Sequence, residues 1–207
     1  MPFDQLTSAL VTLLVTLDPI ALAPVFLSLT QGMSSSERNQ VGLRACLISF
    51  VILAFFCLGG EVLMKALGIG IPAFRIAGGL LLFWIACEMV FEKRTERKQQ
   101  TAETAITKDH IRNVAAFPLA IPLLAGPGAI TVVILYAGQT TGSLTYTGSL
   151  FGIVLVGLFC CFLVFLVSEK LSNLLGITGN IVMSRLFGMI LAGMAVQFII
   201  DGIKAAF

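Results

Sequence analysis

Residues 16–26 read TLDPIALAPVF, an apolar stretch interrupted by one carboxylate and two prolines. Asp18 has the chemistry to receive an ammonium or a proton. Followed by Pro19, it also has the form of a helix N-cap with proline at the first helical position. The two roles can coexist, because a cap leaves carboxylate lone pairs free. A second stretch, LLAGPGAIT at 123–131, repeats the arrangement with Gly126 in the place of Asp18 and Pro127 in the place of Pro19. Its cap brings no charge, so the N–H groups of Gly128, Ala129 and Ile130 would head a half-helix without an acidic partner. Such an end attracts anions. Gly126 and Gly128 also let a ligand approach the backbone closely. The plainer reading is a proline kink with glycines for helix packing.

One break thus offers donors suited to a carboxylate, and the other a carboxylate suited to an ammonium or a proton. The two poles together would suit a zwitterion such as a small amino acid. Their neighbours Ala21, Ala23, Ala125 and Ala129 are small, and Thr16 and Thr131 are candidate hydroxyls. The candidate substrate-binding residues are therefore Thr16, Asp18, Pro19, Ala21, Gly126, Pro127, Gly128, Ala129 and Thr131. Asp18 is also the coupling candidate, for a proton ahead of sodium.

What must position these residues is a membrane bundle. The chain is 207 residues long, 57% hydrophobic and only 12% charged, with a mean hydropathy of +1.00. A soluble domain is nearer about a quarter charged, so lipid is the expected solvent. The net charge of +2 does not point to nucleic acid as a partner. The opening MPFDQ has no basic residue and does not start like a secretory signal peptide. Six spans are expected, at 6–30, 41–60, 74–91, 114–138, 148–168 and 183–203. Each is roughly 20 residues, enough to cross a hydrocarbon core of about 30 Å. GQTTGSLTYTG at 138–148 divides the long uncharged run between Arg112 and Glu169. With the sides numbered alternately, ten of the 13 Lys and Arg residues fall on one of them. That side is expected to be cytoplasmic, with both termini outside. The charged stretch 93–112 reads as a solvated cytoplasmic linker between a first three-helix unit, 1–92, and a second, 113–207.

Sliding the second half over the first by 108 residues brings Pro19 onto Pro127, Ala21 onto Ala129, Val25 onto Val133 and Glu61 onto Glu169. LGI at 67–69 then meets LGI at 175–177. A two-residue gap aligns Arg75 with Arg185 and Gly78 with Gly188. Three spans per unit invert the second unit in the membrane, the inverted-topology repeat of many secondary transporters. Five of the seven prolines, Pro19, Pro24, Pro118, Pro122 and Pro127, fall in spans one and four, which are repeat mates. Each strips a carbonyl four residues earlier of its donor, so the opened backbone must face protein or a watery cavity. The expected fold is all-α, two inverted three-helix repeats with helices one and four broken near the midplane.

The remaining chemistry is sparse. Cys46, Cys57, Cys87, Cys160 and Cys161 fall in apolar runs without a CxxC and read as small buried hydrophobes. The lone His110 has no ligand-spaced partner, so neither a metal nor another cofactor is expected. Arg44, Arg75, Glu88, Arg185 and Asp201 lie near span ends, where they can snorkel or pair. No catalytic constellation converges, which argues against an intramembrane enzyme. A scaffold has no need of broken helices, and a channel would show a polar stripe or charged ring. Secondary transport is the reading left standing.

The motifs LDPIALAPVF, RIAGGLLLFWIA, FPLAIPLLAGPGAIT and RLFGMILAGMAVQFIIDGI, in this order along nearly the whole chain, resemble those of the MarC family of integral membrane proteins, also called the small neutral amino-acid transporter family. The resemblance implies a six-span protein of the bacterial inner membrane. It implies glycine- or alanine-like substrates and coupling to an ion gradient, with export of other small or amphipathic molecules as the alternative. Asp18, Pro19 and Pro24 match the first motif, and Gly126, Pro127, Gly128 and Ala129 match the third. The departure is at Ala21 and Leu22, where the family pattern DPxGNxP has Gly and Asn, so a polar amide is missing.

Overall fold

The structure, a computed structural model, describes residues 3–94, 97, 98, 100, 114–138 and 144–207. His110 and most of the stretch 93–112 lie outside the described residues, as do 139–143 of the loop between spans four and five.

Among the described residues, eight helical elements follow one another: α1 (Phe3–Leu17), α2 (Pro19–Leu29), α3 (Ser35–Ala66), α4 (Ile71–Val90), a wide coil α5 (Ala115–Leu124), α6 (Pro127–Ala137), α7 (Leu144–Leu166) and α8 (Ser168–Ala206). The described part of the chain is all-helical. Five candidate spans are long and apolar enough to cross a membrane: Asp4–Leu29, Ser35–Gly60, Ile71–Val90, Thr145–Leu166 and Thr178–Ala206. The bent pair α5–α6, turning by 57°, makes a sixth if it is one span.

Several boundaries differ from hydropathy for local reasons. α3 starts before the apolar run because Ser34 and Glu37 form a reciprocal capping box, with the Ser34 N–H donating to Glu37 Oε2 at 2.9 Å and the Glu37 N–H to Ser34 Oγ at 3.3 Å. Those bonds satisfy orphan donors and hold a polar first turn in helix. α8 begins 15 residues before the expected span and contains a break at Gly176, whose φ of 60° is open to glycine. In α5, Phe117 and Ile121 stand before prolines and are extended, as the proline ring demands of its predecessor.

Two breaks divide spans one and four, and they are unlike. At Asp18 a single left-handed residue (φ 54°, ψ 64°) separates α1 from α2, which run on as one span. At Ala125–Gly126 the chain bends sharply, and Gly126 leads into α6 in an extended conformation. α2 and α6 each run for 11 residues from a proline. These segments lie at the centre: nine residues of α6 are buried, including Gly128, Ala129 and Thr131. α3 and α7 pack on α6, α7 and α8 pack on α2, and α4 lies along α8. The outer faces of α3 and α7 carry exposed Leu47, Val51, Phe55, Leu155 and Phe159, the apolar surface a lipid-facing helix presents.

Candidate functional site

Asp18 is the most deeply buried carboxylate of the break, only 1% exposed. Its Oδ1 accepts the Ala21 N–H at 3.4 Å, the capping role open to an Asp–Pro pair. Its Oδ2 lies 3.3 Å from the ammonium of Lys98. Lys98 belongs to the stretch expected to be a solvated linker, yet its side chain is only 6% exposed. Arg94 is buried as well. Its guanidinium donates to the carbonyl of Thr16 and approaches Met89 Sδ at 3.0 Å. Arg94 and Lys98 thus belong to the protein interior, whereas Lys93, Arg97 and Gln100 of the same stretch are exposed.

Local features place those two side chains there. Beyond the end of α4, Glu92 takes a left-handed conformation (φ 66°) that turns the chain back. Glu92 pairs with Arg185 of α8. Arg97 pairs with Glu88 at 2.8 Å, and Glu88 also accepts from Trp84 Nε1 at 3.1 Å. Glu88 and Arg185 are therefore paired near span ends. These contacts pin the segment along α4, so that Arg94 and Lys98 point toward the opened backbone. The Thr16 carbonyl is one that the break at Asp18 deprives of its ordinary helical donor, and Arg94 supplies the replacement. Burial pulls the Lys98 ammonium down to about 8, with Asp18 opposing the fall and Arg94 adding to it. Burial also lowers Arg94, again against the attraction of Asp18.

Beside this cluster is a cavity of about 260 Å³. Gly126, Pro127, Gly128 and Ala129 line it at the start of α6, and Thr16 lines it from α1. Its cationic wall is Arg94, Arg97 and Lys98, and its apolar wall includes Leu81, Trp84, Ile85 and Leu123. Gly126 caps α6 without any side-chain hydrogen bond. A Cβ on Gly126 would stand 2.3 Å from the Pro122 carbonyl oxygen, and one on Gly128 would meet Ile85 Cδ1 at 2.7 Å and Thr16 Cγ2 at 2.9 Å. The backbone approach at this break thus depends on both glycines.

Five of the nine candidate residues therefore gather on one cavity: Thr16, Gly126, Pro127, Gly128 and Ala129. The other four do not line it. Asp18 stands behind Lys98, while Pro19 and Ala21 continue into α2. Thr131 turns toward α4, where its Cγ2 is 2.7 Å from the place a Cβ on Gly78 would take. Leu22, where the family pattern has Asn, is fully buried in the core and away from the lining. Sequence reasoning missed Arg94, Arg97 and Lys98. Their one signal was spacing: positions 94, 97 and 98 share a helical face.

A second cavity, of about 290 Å³, lies between the start of α1 and the ends of α6 and α8, lined by Asp4, Gln5, Ser8, Tyr136, Gln197 and Asp201 among others. Asp201 accepts from Gln197 Nε2 at 2.8 Å. Tyr136 Oη shares hydrogen bonds with Ser8 Oγ at 2.8 Å and Thr12 Oγ1 at 3.3 Å.

Long apolar helices, two opened backbones at the centre and a buried ion pair beside them define an integral, multi-pass membrane protein. A family model described as "MarC family integral membrane protein" matches residues 3–207. The chain belongs to that family. It is 37% identical to a UPF0056 membrane protein of Aquifex aeolicus over 198 residues, 95% of this chain and 91% of that protein. It is 35% identical to the UPF0056 membrane protein YhcE of Escherichia coli, over 92% of this chain and 87% of that one. The UPF0056 membrane protein YvbG of Bacillus subtilis is 33% identical over 207 residues, 100% of this chain and 98% of that one. These names specify a membrane protein and no substrate. No solved structure matches the chain.

Proposed function

We propose that the protein is a secondary transporter of small neutral amino acids of the glycine and alanine class, coupled to an ion gradient across the bacterial inner membrane. The observation that carries the reading is the cavity lined by both the α6 N-terminus and Arg94, with Asp18 reached through Lys98 in its wall. A solute carboxylate fits the first turn of α6 and the Arg94 guanidinium. A solute ammonium, or the coupling proton, fits Asp18. A volume of about 260 Å³ falls just under the range of about 300–1,000 Å³ of drug-sized pockets, in keeping with a small solute.

The architecture of two inverted three-helix repeats is part of the proposal. It is supported by α2 and α6, equal in length and 108 residues apart in the sequence, each opening on a proline. Orientation with both termini outside and the segment 93–112 cytoplasmic is supported by the distribution of Lys and Arg. The test is uptake of labelled glycine and alanine into proteoliposomes. Wild type is expected to accumulate them, Asp18→Asn to lose accumulation, and Gly128→Val to lose binding, since its side chain would enter Thr16 and Ile85. Full activity in both variants sinks the site.

Export of amphipathic molecules is the second reading, favoured by Leu81, the largely exposed Trp84 and Leu123 in the cavity wall. Thermal stabilisation by amphipathic antibiotics, with none from amino acids, would decide for it.

A further inference from the structure

Asp18 is the carboxylate that the transport reading assigns to an ammonium, and an ammonium of the chain's own already holds it. Lys98 Nζ lies 3.3 Å from Asp18 Oδ2, and the two side chains are 6% and 1% exposed. The lysine is not delivered by a neighbouring helix of the core. It comes from the segment after α4, turned back at Glu92 and held by Arg94 on the Thr16 carbonyl and by the ion pairs of Arg97 with the largely buried Glu88 and of Glu92 with Arg185. Of these, Glu92–Arg185 is a partly exposed pair of the kind worth roughly 0–1 kcal/mol, and the Lys98 ammonium can move on its own four-carbon stem while the segment stays in place. Lys98 also forms part of the wall of the cavity beside the α6 N-terminus. The same side chain therefore touches both the carboxylate and the space a solute would enter.

A primary ammonium on a four-carbon stem is chemically the charged end of a protonated amine. We infer that Lys98 is a tethered competitor for the ammonium-binding position at Asp18, occupying it when the site is empty and leaving it when an ammonium-bearing solute arrives. The inference rests on the transport reading for the solute's identity, but the exchange itself concerns only a primary ammonium and this carboxylate.

The exchange solves a physical problem. A carboxylate buried at the centre of an apolar protein costs several kcal/mol if left alone. Alternation between Lys98 and the solute keeps it paired throughout, so an empty site is as well compensated as a full one. Arg94 remains in place through its bond to the Thr16 carbonyl, leaving a cation for the solute's carboxylate. The low affinity of Lys98 for its proton, at about 8, reflects the burial it escapes on withdrawing into water.

The test uses a bare alkylammonium, independent of which amino acid is carried. Purified wild type, Lys98→Ala, Asp18→Asn/Lys98→Ala and Asp18→Asn/Lys98→Met are melted in detergent with n-butylammonium chloride or sodium chloride at equal ionic strength. Butylammonium is expected to raise the Tm of K98A by several degrees, to leave wild type within one or two, and to lose its effect in both double variants. K98A that folds only when purified in butylammonium supports the inference equally. An equal rise in wild type and K98A, no rise in K98A, or failure of K98A to fold with or without the amine overturns it. Glycine and alanine are run alongside. If K98A gains the butylammonium response while neither amino acid stabilises wild type or variant, the competitor role stands and the amino-acid reading falls.

Discussion

At the residue scale, the buried pair Asp18–Lys98 sets two expectations. Removing one member leaves the other buried without its partner, which costs about 3–5 kcal/mol, whereas replacing both by groups of similar volume is close to neutral. Asp18→Asn and Lys98→Met should each lower the melting temperature markedly, and the double variant should recover most of the loss. Strictly additive losses would mean that the 3.3 Å contact has no energetic weight. The second expectation concerns pH. Lys98 faces Asp18 at the helix break, Arg94 on its own segment and Cys161 from α7. Burial lowers its proton affinity from the ordinary 10.5 to about 8. Between those values the unfolded chain holds the proton and the folded chain does not, so this group's contribution to stability rises with pH across that window. Melts of wild type and Lys98→Met from pH 7 to 11 should show the wild-type Tm gaining on the variant between about 8 and 10.5. Parallel curves would refute it. Asp18 itself was legible in the sequence because a carboxylate followed by proline in an apolar run is conspicuous. Lys98 and Arg94 were not, because charges in a charged stretch look solvated, and only their helical spacing set them apart.

At the element scale, the α4–α8 contact is made by backbone as much as by side chains. A Cβ on Gly79 would stand 2.8 Å from the Ala195 carbonyl oxygen, one on Gly188 3.0 Å from that of Ala86, and one on Gly202 3.0 Å from that of Pro72. Each of these glycines lets the partner helix approach until main chains touch, the packing small residues permit in membranes. Gly79→Val or Gly188→Val must push the helices apart, at a cost of about 1–3 kcal/mol or more. Gly193, on the same helix, has nothing within 4 Å of its Cβ position, so Gly193→Ala should be harmless or stabilising by up to about 1 kcal/mol through helix propensity. Thermal melts of the three variants decide the matter, and equal behaviour of Gly79→Val and Gly193→Ala would refute the close contact. Gly79 and Gly188 stand in IAGG and RLFG, and small residues in apolar helices are the sequence sign of close packing, whereas Gly202 stands in neither cluster. The wide coil α5 was not readable in the same way. Two prolines four residues apart predict a broken helix, but not that Phe117 and Ile121 both become extended.

At the scale of the whole molecule, everything turns on whether α5 and α6 cross the membrane together. Five crossings would put the termini on opposite sides, and six would put them on the same side. A re-entrant loop has to reverse its direction, whereas the pair bends by 57°, and α6 continues forward for 11 residues, about 16 Å. Six crossings also give each unit three spans, the odd number that inverts the second unit against the first. They place Asp4 and Asp201, which line one cavity, on the side opposite Lys93 and Lys170. Single cysteines at Asp4, Lys93, Lys170 and Lys204, in a chain whose five native cysteines are replaced, would report this through a membrane-impermeant maleimide applied to intact cells. Cysteines at Asp4 and Lys204 should label from outside, and those at Lys93 and Lys170 only after the membrane is opened. Labelling at Asp4 without labelling at Lys204 would mean an odd number of crossings. The inverted repeat would then fall, and with it the reason for pairing the break at Asp18 with the break at Gly126. The ion pair between Asp18 and Lys98 would survive that outcome, because it depends on the fold of the segment after α4 and not on which side of the membrane the chain ends.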